Sequence, residues 1–422
     1  MIVSEKVVAD LWRRQRNAAF TADDGSLIEV IFPGRPAYGG GCDFTDCVFT
    51  RDGVTLVGNT EIHAQQRDWH AHGHDADPHY NSVVLHVVMR SGSNPVRLHN
   101  GTIVPTICLE AAIPFPLPVC DYAIAYERHD LSALVENEGY LRFLEKAASI
   151  KIARDAGNAN HFLLCAMAAA LGYSRNVHQF KRLADVLTTD EMTSRYAAAQ
   201  LLDGRTLPEL MASLFGIAGL LPSQRGSVCT DLYSSRLERI WRSTGYSQVL
   251  KETDWCFSGV RPNNYPTRRI AALGYLLHRW GDQEIVEAIC RLIDAVPLKH
   301  GYRWLEPQLI IDNDEYWDCH SDFGIRKSVG SSLLGGQRAN DMLVNVILPG
   351  VYALSGGLAA KALHLYVSAP GRGENEITRY MKQQLAFTKS LTACQQQGLI
   401  RLFRMYCRKR DCLHCPVGSR TY

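Results

Sequence analysis

"CDFTDCVFTRDGVTLVGNTEIHAQQ", residues 42–66, decides the fold of the first third of the chain. Two runs rich in β-branched and aromatic residues flank Arg51-Asp52-Gly53, and an Asp-Gly pair between such runs is a hairpin signal. The stretch reads as two antiparallel strands. Alternation along the second puts Asn59, Glu61, His63 and Gln65 on one face and Thr60, Ile62 and Ala64 on the other. Asp43 opens the first strand, so pairing across the turn brings it near Glu61 at one end of the sheet.

Outward from this hairpin, Ser4 to Asn17 predicts a helix with Val7, Val8, Leu11 and Trp12 on one face. "SLIEVIFPG" (26–34) reads as a strand stopped at Pro33-Gly34, and "GRPAYGGG" (34–41) as a loop. "DADPHYNS" (75–82) suits a turn or short helix, and "VVLHVVMR" (83–90) a buried strand. Residues 95–111 predict a further hairpin turning at Asn100-Gly101. Beyond Ser132, apolar residues recur at three- and four-residue spacing over 132–157, 160–173, 176–187 and 205–221, which predicts helices. The loop "SGVRPNNYPTRR" (258–269) and the Gly-rich "SVGSSLLGGQ" (328–337) interrupt them. The expected class is α+β. A mixed α/β domain with a central sheet spans 1–128, a large helical region 129–370, and a basic C-terminal helix with a Cys-containing tail 371–422.

The chain has 422 residues, 46% of them hydrophobic and 21% charged, enough apolar material for a large core without metals or disulfides. A net charge of +2 gives no strong overall pull on polyanions. The last 51 residues are uneven, with ten Lys or Arg against three acids, and suit a nucleic-acid partner. The N-terminus has no apolar core of signal-peptide length, and the most apolar later stretch, 342–367, is broken by Asn345, Pro349 and Lys361. A cytoplasmic protein without a membrane partner is expected. The 13 cysteines, an odd number thinly spread, suit reduced thiols.

Glu61 and His63 point the same way from one strand. With Asp43 they form two carboxylates and a nitrogen base, a set suited to Mg²⁺ or Mn²⁺. Six of the 15 histidines fall in residues 58–88. His70, His72 and His74 alternate, so an extended segment puts all three on one side. His72 and His74, with Asp68 or Asp77, offer ligands for Zn²⁺. His86 lies on an apolar strand and reads as a core histidine, unless it shares the face of Glu61. In the tail, Cys407, Cys412 and Cys415 are spaced as ligands for Zn²⁺ or an iron–sulfur cluster, with Cys394 or His414 as a fourth. Arg261, Arg268 and Arg269 project from a loop before a helix and suit phosphate binding.

The order helix, three strands, helix, strand resembles the core of the PD-(D/E)XK nuclease superfamily. That likeness puts Asp43 at the start of the second strand and Glu61-Ile62-His63 at the acid-x-Lys position, with His63 in place of Lys. Over nearly the whole chain the sequence resembles a bacterial family called domain of unknown function 2851. The likeness rests on "GGGCDF", "GNTEIH", "DWHAHGHDADPHYNSVVLHVV", "LGYSRNVHQFKRLADVL", "LFGIAGLLP", "WCFSGVRPNNYPTRRIA", "VNVILPGVYA" and "YCRKRDCLHCPVG". Its pattern includes Asp43, Glu61, His63, Asp68, Trp69, His72, His74, Tyr80 and His86, then Asn176, Arg261, Pro262, Asn264, Pro266 and Arg268.

The expected function is a metal-dependent phosphodiesterase or nuclease acting on nucleic acid. Asp43 and Glu61 hold a divalent ion, His63 orients or deprotonates water, and Asp68, His72, His74, Arg261 and Arg268 bind substrate. The alternatives are a non-catalytic nucleic-acid or protein-binding module on a degenerate nuclease core, and a Zn²⁺-dependent hydrolase of a small substrate.

Overall fold

In the computed structural model of the chain, every residue is described except 1–4, 16–17, 38–40, 93, 111–119, 121–122, 124–127, 173–174, 189–205, 228–230, 258–259, 281–283, 298, 300, 313, 410 and 419–422. The chain forms two compact units: residues 1–139, 374–390 and 395–422 make the first, and 140–373 with 391–394 the second. The C-terminal segment, read from sequence as a third part, therefore folds with the N-terminal unit. The class is α+β, as expected.

The first unit is built on strands β1 (Ala19–Thr21), β2 (Leu27–Phe32), β3 (Arg35–Pro36), β4 (Phe44–Arg51), β5 (Val54–Gln65), β6 (Val83–Arg90), β7 (Val96–Arg97), β8 (Ile103–Val104) and β9 (Thr106–Cys108). The main sheet runs β1-β2-β4-β5-β6-β9, with β3 on β4. β7 and β8 form a separate hairpin around Asn100-Gly101. From β1 to β5 the pairing is antiparallel, and β5–β6 and β6–β9 are parallel. The predicted turn between β4 and β5 is present: Asp52 and Gly53 take φ of 50° and 84°. Two successive positive values give a tight turn whose twist matches the strands.

Helix α1 (Glu5–Trp12) is shorter than the expected 4–17. Trp12 anchors its end, donating from Nε1 to the carbonyl of Pro33 at 2.9 Å. Val8 and Trp12 pack with Ile28, Val30, Phe49, Ile62, Leu85, Val87 and Ile107. That core occupies one face of the sheet. On the other face, Trp69, Tyr80, Val83, Val96, Leu98 and Val104 form a smaller cluster under the crossover between β5 and β6. The crossover contains α2 (Asp68–Ala71) and a 3₁₀ turn at Pro78–Ser82. Between α1 and α2 lie five strands, β1 to β5, paired antiparallel, and β6 follows the crossover parallel to β5.

The second unit is helical: α3 (Arg128–Asp155) leads into it, followed by α4 (Ala159–Leu171), α5 (Val177–Thr188), α6 (Leu207–Ile217), α7 (Leu232–Thr244), α8 (Pro266–Trp280), α9 (Ile285–Asp294) and shorter helices. Leu210 to Ile217 of α6 are all buried. A helix apolar all round belongs in a core, and it packs with Phe180, Ile270, Leu273, Ile289 and Trp317. Two helices lie near the chain's end, α10 (Glu376–Gln384) and α11 (Ala393–Met405). Among the described residues no helix is long and apolar enough to cross a membrane.

Candidate metal centre

Alternation along β5 turns Glu61 and His63 away from the α1 core, on which Ile62 packs. Parallel pairing then sets His86 beside Glu61, Val87 beside Ile62 and Val88 beside His63. His86 therefore shares the face of Glu61. Its Nε2 lies 2.9 Å from Nδ1 of His63, and its Nδ1 lies 3.2 Å from the Thr106 hydroxyl. This chain of contacts leaves Nε2 of His63 as the outward nitrogen.

The crossover supplies the other imidazoles. Asp68 accepts the Gln65 N–H at 2.9 Å, which ties the start of α2 to the end of β5. Trp69 is buried and donates from Nε1 to the carbonyl of Arg97 at 3.1 Å. Gly73 then takes φ 74°, and the His74 N–H reaches back to the Trp69 carbonyl at 3.2 Å. A left-handed residue just past a helix reverses the chain, and glycine adopts it without strain. The reversal folds His74 under Trp69 and swings His72 to the same side. One nitrogen each from His63, His72 and His74 lies within 4.8 Å of the other two. His63 and His74 are buried and His72 is exposed, so the group opens to solvent on one side.

Acids sit against this group. Glu61 Oε1 is 3.5 Å from His74 Nε2. Its Oε2 accepts the Asp43 N–H at 3.0 Å, and Asp43 in turn accepts the Ile62 N–H at 3.0 Å. The two carboxyls brace each other through the backbone. Burial, then the neighbouring Asp43, pushes Glu61 up to about 9. Burial likewise lifts Asp43 to about 6. Burial and the rings of His74 and His72 push His63 down to about 3. Burial, then His63, holds His86 well below the usual histidine range. His74 is lowered by burial and His72. Glu61 and His74 therefore meet as neutral partners at pH 7, not as an ion pair. His63 and His74 thus converge as neutral imidazoles, each able to offer a ring nitrogen to a cation or a donor.

His70 leaves the group for Asp75 at 3.1 Å, and His79 pairs with Asp77 at 2.7 Å, both exposed. The segment is a helix and a turn, not extended, so alternation does not apply to it. Arg261 and Arg268 belong to the second unit. Arg268 is not in a loop: it lies in the first turn of α8 and is fully buried. Its guanidinium donates to the carbonyls of Trp317, His320 (2.7 Å), Ser331 (3.0 Å) and Ser332 (3.0 Å). Arg269 is buried beside it and donates to the Leu333 carbonyl at 2.9 Å. Cys394 lies in the core of the second unit, against Tyr366. His414 is exposed and held by Asp411 at 2.6 Å. Among the described residues, one other group of three has ligand atoms as close together: His161, Cys165 and Asp185, on α4 and α5.

A family model described as "Protein of unknown function (DUF2851)" matches residues 5–364. No curated protein and no solved structure matches the chain.

Proposed function

The chain belongs to the DUF2851 family of proteins of unknown function, and from that premise we propose that its first unit is a metal-dependent hydrolase acting on phosphodiester bonds of nucleic acid. The observation that carries the reading is the convergence of His63, His72 and His74. Three imidazoles with an open side match the ligand set of catalytic Zn²⁺ sites better than the all-oxygen set of Mg²⁺ or Mn²⁺. A divalent ion held there supplies Lewis acidity toward water and the scissile group. His86 fixes the ring of His63 from behind, as outer partners of ligating histidines commonly do. Glu61 stands 3.5 Å from His74 and is the nearest group able to carry a proton between water and leaving group. Asp43 holds Glu61 in place through its N–H.

Support for nucleic acid comes from charge. Burial, then Arg404 and Arg408, lowers Arg35, and burial, then Arg408, lowers Arg404, so cations of the first unit lie near one another, though Arg35 also pairs with Asp46. A second reading, hydrolysis of a small substrate, is favoured by how deeply Glu61 and His63 are buried, at 5% and 1% exposure.

The test is direct. Single- and double-stranded DNA and RNA, and small phosphodiesters, are incubated with the full chain plus Zn²⁺ or Mn²⁺. Cleavage is expected, falling by at least about 100-fold in Glu61→Gln and His63→Ala, the scale of losing a proton carrier or a ligand. Turnover of small phosphodiesters alone selects the second reading. Failure to cleave any of these at high protein concentration overturns both.

A further inference from the structure

The second unit carries a ligand group of its own, on the helical hairpin of α4 and α5. His161 and Cys165 stand four residues apart on α4, and residues at that spacing share a helix face. Two ligands so spaced can reach one ion, as the histidines of zinc-protease helices do. A five-residue link, 172–176, then turns the chain into α5. The link is tight: a Cβ on Gly172 would lie 2.6 Å from the Asn176 carbonyl oxygen. Cys165 lies six residues before Leu171, the end of α4, and His161 ten, while Asp185 lies eight residues after Val177, the start of α5. At a rise of about 1.5 Å per residue these stand about 9, 15 and 12 Å from the link, so the hairpin sets Asp185 level with the gap between the other two.

On the inward faces, Leu164, Met167 and Ala168 of α4 and Phe180, Leu183 and Ala184 of α5 belong to the core. His161, Cys165 and Asp185 are half-buried at its margin. The side chains of His161 and Asp185 keep 38% and 49% of their exposure, so water reaches the group from one side.

The three ligand atoms close a triangle. Cys165 Sγ lies 3.3 Å from Asp185 Oδ1 and 3.7 Å from His161 Nε2, and that Nε2 lies 3.4 Å from the same Oδ1. Zn²⁺ bonds of about 2.3 Å to sulfur and about 2.0–2.2 Å to nitrogen and oxygen give tetrahedral edges of about 3.3–3.8 Å. All three edges fall in that window, as one face of a tetrahedron does. A thiol nucleophile would be arranged differently. In a relay the acid holds the ring nitrogen away from the nucleophile. Here the acid meets the nitrogen nearer the thiol, so the three atoms converge instead. Among the described residues, the tail's Cys407, Cys412 and Cys415 do not form such a group.

We propose that His161, Cys165 and Asp185 bind one Zn²⁺ ion, with water in the fourth position on the exposed side. A thiolate with an imidazole selects Zn²⁺ over Mg²⁺ or Mn²⁺. On binding, the thiol gives its proton to solvent and its contact with Asp185 is replaced by a Zn–S bond. The ion then pins α4 to α5. All three ligands lie in the second unit, so the site stands apart from the hydrolase reading of the first.

The experiment uses the full chain, freed of metal by a chelator, with Co²⁺ as a coloured probe and Zn²⁺ as competitor. His63→Ala is the background, which keeps the histidine group out of the count. Titration is expected to show a Co²⁺ equivalent with thiolate charge-transfer absorption, displaced by Zn²⁺ and lost on adding Cys165→Ser. Asp185→Asn and His161→Ala are each expected to weaken that equivalent by at least about 100-fold, beyond what loss of an outer partner costs. A second readout needs no variant. In wild type, Zn²⁺ is expected to slow alkylation of Cys165 by iodoacetamide, followed on its peptide by mass spectrometry, by at least about 10-fold, because a metal-held sulfur is not free to attack. Thiolate absorption that is absent, or undiminished in Cys165→Ser, overturns the proposal. So does a Cys165 alkylation rate that Zn²⁺ leaves unchanged.

Discussion

At the scale of single residues, His86 and Arg268 show how much a side chain's surroundings decide its role. His86 lies on an apolar strand and Arg268 in a segment that reads as a loop, and both are fully buried. His86 faces another imidazole at 2.9 Å and supports the candidate centre from behind. His86→Ala is therefore expected to weaken Zn²⁺ binding about 10- to 100-fold with little change in fold, as loss of an outer partner commonly does. Calorimetric titration measures it, and unchanged affinity removes His86 from the site. Arg268 donates to four backbone carbonyls that have lost water. Arg268→Met strands them, and a destabilisation of roughly 3 kcal/mol or more is expected in urea unfolding. Nucleic-acid affinity in the folded variant is expected to stay unchanged, whereas a phosphate-binding arginine would lower it. The sequence did hold a signal against the loop assignment: Pro266 stands at the first helical position, where proline is favoured, and so places Arg268 and Arg269 inside the helix.

At the scale of elements, local pattern was sufficient wherever local chemistry sets the structure. The Asp52-Gly53 turn, β5 with its two faces, and β6 with its bounds at 83–90 follow from periodicity and turn residues. The crossover was not legible in that way. Its path depends on Trp69 filling the space under β7 and β8 and on Gly73 reversing the chain, and neither shows as a period. For that reason His72 and His74 could be placed near Glu61 and His63 as substrate-binding residues but not as members of one ligand set with His63. The close approach of β5 and β6 is also tertiary. At Gly58 a Cβ would sit 2.5 Å from both γ-methyls of Val84. Gly58→Ala is expected to cost about 1–3 kcal/mol through overpacking, and adding Val84→Ala to recover most of it. A double-mutant cycle in urea checks this, and simple additivity of the two changes refutes the contact.

At the scale of the whole molecule, the candidate centre makes the first unit sensitive to pH in both directions. His63, His74 and His86 titrate lower folded than unfolded. The contribution of His63 is present above the unfolded value near 6.5 and is lost as pH falls toward 3, and those of His74 and His86 are lost in the same direction. Glu61 and Asp43 titrate higher folded, so theirs is present below about 4 and is lost as pH rises through about 6 for Asp43 and about 9 for Glu61. Between about 4.5 and 6.5 the histidines and the acids act in opposite directions. Above about 6.5 Glu61 dominates and stability falls, by up to about 1.4 kcal/mol per pH unit for one proton. With a chelator present, urea midpoints of the full chain are expected to fall between about pH 6.5 and 9. Glu61→Gln flattens the alkaline side, and an unchanged alkaline side in that variant overturns the assignment.

The crossover has a kinetic consequence. His63 reaches its place on a strand, but His72 and His74 reach theirs only after β6 has closed in parallel beside β5, a pairing that spans the whole 66–82 segment. Residues 42–66 carry the whole hairpin and still lack two of the three imidazoles. Uptake of an ion during refolding would thus mark the moment of parallel closure, a step that follows local hairpin formation because its loop is longer.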